Sequence, residues 1–122
     1  MSCRLCSPGR YAQRVEPDYA PRAVADLLAR AEIQLIDVRQ PHEHEAGRIA
    51  GDRHIELAQL GDLVAEIDQA TPIVFYCRSG ARSALATQAF RQAGFEAYNM
   101  TGGLLEWQAS GLPLEPHDGY VA

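Results

Sequence analysis

The sequence predicts an α/β domain with a parallel sheet that carries helices on both faces. Two short apolar runs, IQLIDV at 33–38 and PIVFY at 72–76, do not alternate polar with apolar residues, which is typical of strands covered on both sides. Helical patterns lie between and after these runs. This alternation favours a parallel sheet, and ligands of such sheets bind outside the carboxyl ends of the strands.

The other elements follow in chain order. From Pro21, the segment PRAVADLLAR places Val24, Leu27 and Leu28 on one helical face, with the proline in the first turn, where its missing N–H costs little. Strand candidates are QRV at 13–15, RHI at 53–55 and FEAYNM at 95–100. Helices are expected at 42–47, 57–68, 82–94 and near 104–110. The helix at 82–94 carries one apolar stripe, namely Leu85, Ala86, Ala89, Phe90 and Ala93, and ends at Gly94.

Length and composition predict one globular domain. The chain has 122 residues, of which 47% are hydrophobic and 22% charged, so it can remove roughly two-thirds of its unfolded surface from water. Residues 1–12 lack any periodicity and are expected to form a flexible arm. The folded domain is expected over 13–114, followed by an extended or frayed tail at 115–122.

Charge narrows the range of partners. The net charge is −5, which argues against nucleic acid or an anionic membrane surface as the main ligand. The sequence contains no apolar stretch of signal-peptide or membrane-spanning length, so a cytoplasmic location is expected. All 11 basic residues are arginines, which excludes a Schiff-base lysine.

Cys77 is the strongest candidate for a reactive group. It follows the run PIVFY directly, and the short loop RSGA then leads into a helix, so backbone N–H groups and the helix N-terminus should face the sulfur. Arg78 and Arg82 add positive charge, and together these features favour the thiolate. The alternative is a small buried hydrophobic residue at the end of a core strand. The glycine at 80 and the hydroxyls at 79 and 83 argue for the reactive thiol.

Two chemistries suit such a thiolate: phosphoryl transfer through a phosphocysteine and sulfur transfer through a persulfide. Cysteine phosphatases share a C-x5-R loop whose arginine clamps a tetrahedral phosphate. Here Ser83 occupies that position and the arginine comes one residue earlier, at Arg82. A loop shorter by one residue suits a terminal sulfur better than a full phosphate.

Three stretches resemble the signatures of a known family. LIDVRQPHEHEAGRIAG, IVFYCRSGARS and MTGGLLEWQASGLPL are similar, in this order, to the signatures of single-domain rhodaneses, which are thiosulfate-type sulfurtransferases. The resemblance runs from about Gln13 to Leu114. It implies a rhodanese-like fold, with a five-stranded, mostly parallel sheet flanked by helices on both faces.

The resemblance also implies a catalytic mechanism at Cys77. The thiolate would take a sulfur atom from a small anionic donor, thiosulfate or a persulfide, and pass it to cyanide, a thiol or a protein acceptor, without a cofactor. The amides of the loop would stabilise the persulfide, and Arg78 and Arg82 would orient the donor. Both arginines could instead be solvated surface residues, or Arg82 could hold the loop to nearby carboxylates. The loop residues are Cys77, Arg78, Ser79, Gly80, Ala81 and Arg82, and the amide of Ser83, which follows them, would also help to stabilise the persulfide.

Secondary candidates are Asp37 and Arg39 of the DVR motif, where the resemblance suggests that the aspartate supports the fold. The sequence departs from the family pattern G-H-I-P-G-A, because GRIAGD carries Arg48, Ala50 and Asp52 instead of histidine, proline and alanine. His44 stands where an aromatic residue is common. Packing and turn roles are expected for Gly102, Gly103, Trp107 and Gly111.

No metal site is predicted. PHEHE at 41–45 offers two histidines, but side chains at i and i+2 diverge on a helix. Cys3 and Cys6 form a C-x2-C pair without a second pair, which is too few ligands for zinc. A further hypothesis is that one of these thiols resolves the persulfide on Cys77 or accepts its sulfur.

Several functions therefore remain open at this stage. The leading one is a sulfurtransferase enzyme. A cysteine-dependent phosphatase or arsenate reductase is disfavoured by the loop length. A sulfur carrier for a partner enzyme, or a catalytically idle module that binds a partner, is the alternative from another class. Loss of the cysteine would mark the idle module, and Cys77 is present.

Overall fold

A computed structural model describes residues 18–122 and gives them one five-stranded sheet. Its strand pairs are all parallel, and the spatial order is first, fifth, fourth, second and third strand. The predicted α/β class and five-stranded sheet are confirmed. The strands are β1 (Asp18–Tyr19), β2 (Gln34–Asp37), β3 (Arg53–His54), β4 (Ile73–Tyr76) and β5 (Ala97–Met100).

Helices cover both faces of this sheet. Residues of α1 and α5 pack in one core cluster and residues of α3 and α4 in the other. The segment 57–68 was expected to be one helix. It instead consists of the short helix α3 between two 3₁₀ turns, Leu57–Gln59 and Val64–Glu66. Gly61, a poor helix former, lies within α3. The α-helices are α1 (Pro21–Ala29), α2 (Pro41–Ala46), α3 (Leu60–Leu63), α4 (Ala81–Gln92) and α5 (Gly103–Ala109).

The central strands explain why the two apolar runs do not alternate. β4 is fully buried, and successive side chains enter opposite clusters: Ile73 and Phe75 join α4 on one face, whereas Val74 and Tyr76 join α1 and α5 on the other. β2 pairs with β4 in register from Gln34–Ile73 to Asp37–Tyr76. Both strands therefore end at the same edge, which places the residues that follow them side by side.

Helix α1 forms as predicted. Pro21 occupies its first turn, and Val24 is buried in the core while Leu27 and Leu28 pack against it. The predicted apolar stripe of α4 is only partly covered. Ala86 and Phe90 are buried, but Leu85 is 62% exposed, and Ala89 and Ala93 are exposed as well. The core face of α4 instead includes two polar residues, Ser83 and Thr87.

The C-terminal segment packs against the domain. Arg48 and Glu115 exchange backbone hydrogen bonds of 2.9 and 2.7 Å, and the Tyr120 amide donates to the carbonyl of Ala46 at 2.9 Å. Gly47 lies so close to this segment that a β-carbon there would sit 2.4 Å from the Tyr120 oxygen. The expectation of an extended or frayed tail did not include these contacts, because each partner is distant in sequence.

Some expectations concern residues outside the described range. The arm at 1–12, the strand candidate at 13–15 and the thiols of Cys3 and Cys6 lie there, so the domain start at residue 13 stays a prediction. The edge position beside β5 is filled by Asp18–Tyr19. Between residues 18 and 122, no helix is long and apolar enough to cross a bilayer.

Candidate active site

The site is built on the loop between β4 and α4. Cys77 follows the last residue of β4 directly, and α4 begins four residues later at Ala81. Gly80, which precedes the helix, has φ of 108°, a conformation that side chains with a β-carbon rarely adopt. This turn folds the chain back so that the loop surrounds the sulfur.

Three described donors point at the sulfur. The amide N–H of Gly80 lies 3.1 Å from the Cys77 Sγ, the Ser83 amide 3.5 Å and the Ser83 hydroxyl 3.3 Å. Cys77 itself is only 1% exposed. Of the residues that the sequence placed around the thiol, the structure brings Gly80 and Ser83 to the sulfur with inward-facing amides.

Burial and hydrogen bonding act on the thiol in opposite directions. Burial alone would raise the pKa of Cys77, since it disfavours the charged form. Hydrogen bonds from the Ser83 hydroxyl and from the amides of Ser83, Gly80 and Ser79 outweigh it. The pKa of Cys77 consequently lies below its ordinary value, a shift in the direction of the thiolate.

Asn99 reaches this site from the neighbouring strand. It lies in β5, is 8% exposed, and its Oδ1 is 2.6 Å from the Ser83 hydroxyl oxygen. Its amide nitrogen donates to the Gly80 carbonyl at 3.4 Å. Sequence reasoning missed Asn99, although its position near the carboxyl end of a predicted strand was a usable signal.

Arg82 pairs with a carboxylate and donates no described hydrogen bond to the sulfur. Its two terminal nitrogens lie 2.8 and 2.9 Å from the two oxygens of Glu43 in α2. The bidentate pair lowers the pKa of Glu43 to about 2, and the Arg82 hydrogen bond is the largest cause. Holding the loop to a carboxylate is one of the three alternatives that the sequence leaves open for Arg82, but the sequence does not indicate Glu43 as the partner.

The remaining loop side chains face outward. Arg78, Ser79 and Ala81 are exposed. The Nε of Arg78 donates to the backbone oxygen of Ala122 at 3.0 Å, so the guanidinium lies against the C-terminal segment. The loop thus contributes backbone donors inward and one accessible cation outward.

The first turn of α5 supports the loop that carries Cys77. After β5, the amides of Leu104 and Leu105 donate to the carbonyls of Cys77 and Arg78 at 2.8 and 3.1 Å. A β-carbon on Gly103 would lie 2.5 Å from backbone atoms of both residues, so only glycine fits. The packing role expected for Gly103 thereby includes fixing the loop that carries the thiol.

Comparison with known proteins identifies the family. Residues 20–110 match the family described as Rhodanese-like domain. The chain belongs to this family. The thiosulfate sulfurtransferase GlpE of Pseudomonas aeruginosa is 33% identical over 98 residues, which span 80% of this chain and 84% of that protein.

The rhodanese-like domain also occurs in longer relatives. An HTH-type transcriptional regulator of Mycobacterium tuberculosis is 41% identical over 97 residues, 75% of this chain, but the chain spans only 42% of that protein. Among solved structures, a rhodanese-related protein from Thermoplasma volcanium superposes with a TM-score of 0.74 at 24% identity, covering 80% of this chain and 95% of that one. The latter likeness concerns the fold alone.

Within the rhodanese-like domain, Asp37 and Arg39 form a buried pair. Both are 0% exposed, and Arg39 donates through its amide and Nε to one Asp37 oxygen at 2.9 Å and through Nη2 to the other at 2.8 Å. Arg39 also donates to the Gly47 carbonyl at 2.7 Å. These contacts connect β2 with the segment after α2, and none of them involves Cys77.

Two residues that depart from the family pattern, His44 and Asp52, join this buried pair. His44 Nδ1 lies 2.9 Å from Asp37 and 3.7 Å from Asp52, and the Tyr76 hydroxyl donates to Asp52 at 2.7 Å. Burial is the main cause that raises the pKa of Asp52. Arg48 donates to the His44 carbonyl at 3.3 Å. Asp52 and His44 therefore complete a polar network that a family-typical alanine could not form.

Asp37, His44 and Asp52 are also the described residues whose ligand-type atoms lie close enough to hold a metal ion. Asp37 already accepts hydrogen bonds from Arg39 on both oxygens, and Asp52 accepts one from Tyr76. A guanidinium so close to the group would also repel a cation. The hydrogen-bond donors around these two carboxylates favour a structural network at this position over a metal site. His42, the other histidine of PHEHE, is not part of this group.

Proposed function

We propose that this rhodanese-like domain is a sulfurtransferase that carries sulfur on Cys77 as a persulfide. The observation that supports this most directly is the set of donors around Sγ, at 3.1 to 3.5 Å, in a loop that closes after six residues. Such donors stabilise an anion, and the small ring suits a single additional sulfur atom. The similarity to proteins named as sulfurtransferases supports the same reaction class.

In the first half-reaction the Cys77 thiolate attacks the outer sulfur of thiosulfate. A bond forms between Sγ and that sulfur, and the bond between the two thiosulfate sulfurs breaks. Sulfite leaves with the electron pair, so Cys77 holds a persulfide anion and the total charge is unchanged. The loop amides of Gly80 and Ser83 that face the site would then stabilise the anionic form.

In the second half-reaction a nucleophilic acceptor takes the outer sulfur. Cyanide would attack this atom and leave as thiocyanate, while the electron pair of the S–S bond returns to Cys77 as a thiolate. A thiol acceptor would leave as a persulfide in the same way. Neither step needs a metal or an organic cofactor, and the two-step scheme predicts ping-pong kinetics.

The two arginines of the loop have different roles in this proposal. Arg78 is exposed and would attract and orient the dianionic donor. Arg82, with both terminal nitrogens on Glu43, would fix the start of α4 and keep the amides directed at the sulfur. Ser79 and Ala81 contribute through the backbone, and the buried Asp37–Arg39 pair would support the neighbouring loop.

Phosphatase or arsenate reductase activity has less support. In that chemistry the arginine of the loop must face the bound oxyanion, whereas Arg82 is committed to Glu43 at 2.8 and 2.9 Å. A carrier module is the second candidate, and the occurrence of a similar segment within a longer protein named as a transcriptional regulator is compatible with a module that serves a partner. In that case the persulfide would form on Cys77 but would pass to a partner protein, not to cyanide.

Mass spectrometry of the intact protein tests the proposal. The protein would be incubated with thiosulfate in a variant with Cys3→Ser and Cys6→Ser, so that Cys77 is its one remaining thiol. A gain of one sulfur atom that disappears with Cys77→Ser is expected. Absence of the gain, or its persistence without Cys77, would refute the scheme. Thiocyanate formation from cyanide, measured beside phosphate release from an aryl phosphate, separates the sulfurtransferase from the carrier and the phosphatase.

A further inference from the structure

The Ser83 hydroxyl lies between two acceptors but has only one hydrogen. Its oxygen is 2.6 Å from Asn99 Oδ1 and 3.3 Å from Cys77 Sγ. All three side chains are buried, since Cys77 is 1%, Ser83 0% and Asn99 8% exposed. Water therefore has little access to replace whichever hydrogen bond is absent, and the two acceptors compete for one donor.

A second contact fixes the orientation of the Asn99 amide. With Oδ1 toward Ser83, Nδ2 faces the Gly80 carbonyl at 3.4 Å and donates to it. The flipped orientation would place Oδ1 against the Gly80 carbonyl, where two acceptors would repel each other. Asn99 is thus held as an acceptor for Ser83 by the same loop that carries the thiol.

We propose that Asn99 is a positioning residue that controls the charge state of Cys77 through the Ser83 hydroxyl. When the sulfur is uncharged, the hydroxyl hydrogen points to Asn99 Oδ1. When the sulfur is ionised, the hydroxyl turns to Sγ, and the buried Asn99 oxygen loses its donor. That loss is a cost of ionisation, so Asn99 opposes the thiolate that Ser83 and the loop amides favour.

The consequence for sulfur loading rests on the proposed sulfurtransferase function. In the persulfide the negative charge resides on the outer sulfur, and Sγ becomes a neutral divalent atom. The Ser83 hydroxyl can then return to Asn99, and the buried amide oxygen regains its donor. Asn99 therefore stabilises the loaded protein relative to the free thiolate, and it shifts the equilibrium between the two forms toward the persulfide.

Charged groups around the thiol are the same in both states. Arg82 of α4 acts on the thiolate by its charge, and Glu43 of α2 and Asp37 of β2 act on Arg82. Arg78 follows Cys77 in the loop and is exposed. None of these side chains accepts a hydrogen bond from Ser83. Asn99→Ala therefore changes the hydrogen-bond competition while leaving this charge arrangement in place.

A double-mutant cycle on the free protein tests the inference. In the variant that keeps Cys77 as its one thiol, the pKa of Cys77 is measured from the ultraviolet absorbance of the thiolate for Asn99→Ala, Ser83→Ala and the double variant. Asn99→Ala should lower the pKa, by about one unit, because Ser83 then donates to sulfur without competition. Ser83→Ala should raise it, and adding Asn99→Ala to Ser83→Ala should change nothing further.

The same cycle provides the refuting outcomes. A pKa that rises with Asn99→Ala, or an Asn99→Ala shift that persists without the Ser83 hydroxyl, would mean that Asn99 acts through loop geometry alone. Asn99→Asp keeps the side-chain shape, offers a stronger acceptor for Ser83 and adds a negative charge near the sulfur, so it should raise the pKa of Cys77 on both counts. Opposite signs for the two Asn99 variants are not expected from a general loosening of the fold.

Sulfur loading provides an arm that separates this inference from the proposed function. In mixtures of thiosulfate and sulfite, Asn99→Ala should lower the equilibrium fraction of persulfide that mass spectrometry detects. If the unsubstituted protein takes up no sulfur, the proposed function fails while the pKa cycle still decides the role of Asn99. If it loads normally and the cycle is additive, the proposed function stands and the role of Asn99 is refuted.

Discussion

Arg82 and Glu43 form a bidentate ion pair, with both nitrogen–oxygen distances below 3 Å, between the start of α4 and helix α2. Glu43 is 7% exposed, and its carboxylate also accepts a hydrogen bond from the Gln40 amide at 3.0 Å. The pair therefore joins two helices through residues that are 39 positions apart in sequence. It fixes the end at which the loop from Cys77 enters α4.

This pair predicts a loss of stability in acid. The pKa of Glu43 is lowered to about 2 in the folded protein, below its value in the unfolded chain of about 4.3. A lowered folded pKa contributes stability that is fully present above the unfolded pKa and lost as the pH falls toward the folded one. Denaturant unfolding between pH 6 and about pH 2 should show this loss, and Glu43→Gln should reduce it.

Helix α2 offers a matched control for that measurement. Glu45 lies two positions further on and is exposed, so Glu45→Gln removes the same charge without breaking the pair. At neutral pH, Glu43→Gln should lower the free energy of unfolding by about 1–3 kcal/mol, whereas Glu45→Gln should change it by less than about 0.5 kcal/mol. Equal acid sensitivity in both variants would show that the Arg82–Glu43 pair contributes little.

The fold and the thiol site could be predicted from sequence because their signals are local. β2 and β4 are recognisable because burial on both faces leaves mostly apolar runs without polar alternation, and the segment from Cys77 to Ser83 is contiguous. Glu43 and Asn99 could not be predicted with equal ease, since each reaches the loop from another element. Nothing in the immediate neighbours of Glu43 distinguishes it from Glu45.

The buried face of α4 shows a different limit. The apolar stripe led to the expectation that Leu85, Ala89 and Ala93 would be equivalent to Ala86 and Phe90, but those three residues are exposed. The face of α4 that turns inward includes Ser83, whose hydroxyl contacts Cys77 and Asn99. The hydrophobic pattern alone does not reveal this polar contact.

Gly80 predicts a test of the sulfur-binding loop. Gly80→Ala places a β-carbon on a residue with φ of 108° and removes the turn that directs its amide to Sγ. We expect the pKa of Cys77 to rise and the rate of sulfur loading to fall by roughly a hundredfold, as for the loss of one anion-stabilising donor. The absorbance titration and single-turnover mass spectrometry measure the two effects.

Gly61 provides the control for the glycine substitution. It lies in α3 with an ordinary helical conformation, and a β-carbon there meets no atom within 4 Å. Gly61→Ala should leave the pKa of Cys77 and sulfur loading unchanged and should raise the free energy of unfolding by up to about 1 kcal/mol. If Gly80→Ala behaves like Gly61→Ala, the loop does not depend on the left-handed conformation at 80.

Gly103 predicts that the start of α5 positions the loop that carries Cys77. A β-carbon on Gly103 would lie 2.5 Å from backbone atoms of Cys77 and Arg78, so Gly103→Ala must displace the catalytic loop. Gly111 has a similar positive φ of 81°, but a β-carbon there has nothing within 4 Å. Gly111→Ala therefore measures the backbone strain alone, about 1–2 kcal/mol.

The comparison of these two variants isolates the contact with the loop. Gly103→Ala should lower the free energy of unfolding by more than Gly111→Ala and should also raise the pKa of Cys77, because the amides move away from the sulfur. Gly111→Ala should leave that pKa unchanged. Thermal unfolding and the thiolate titration provide the two readouts. Identical results for both variants would remove Gly103 from the support of the site.

Arg78 predicts that binding of the sulfur donor can be separated from the chemical step at Cys77. Its guanidinium is exposed and contacts the Ala122 oxygen at 3.0 Å, whereas the hydrogen-bond donors that face Sγ come from Gly80 and Ser83. Arg78→Gln should therefore raise KM for thiosulfate by about tenfold, the loss of one charge-assisted contact, while kcat and the pKa of Cys77 change little.

Arg53→Gln removes the same charge from an exposed position on the edge strand β3 and should leave KM nearly unchanged. The difference between the two variants should shrink at high ionic strength, because an exposed cation is screened by salt. An equal rise of KM in both variants would mean that the donor responds to the net charge of the domain and not to a contact with Arg78.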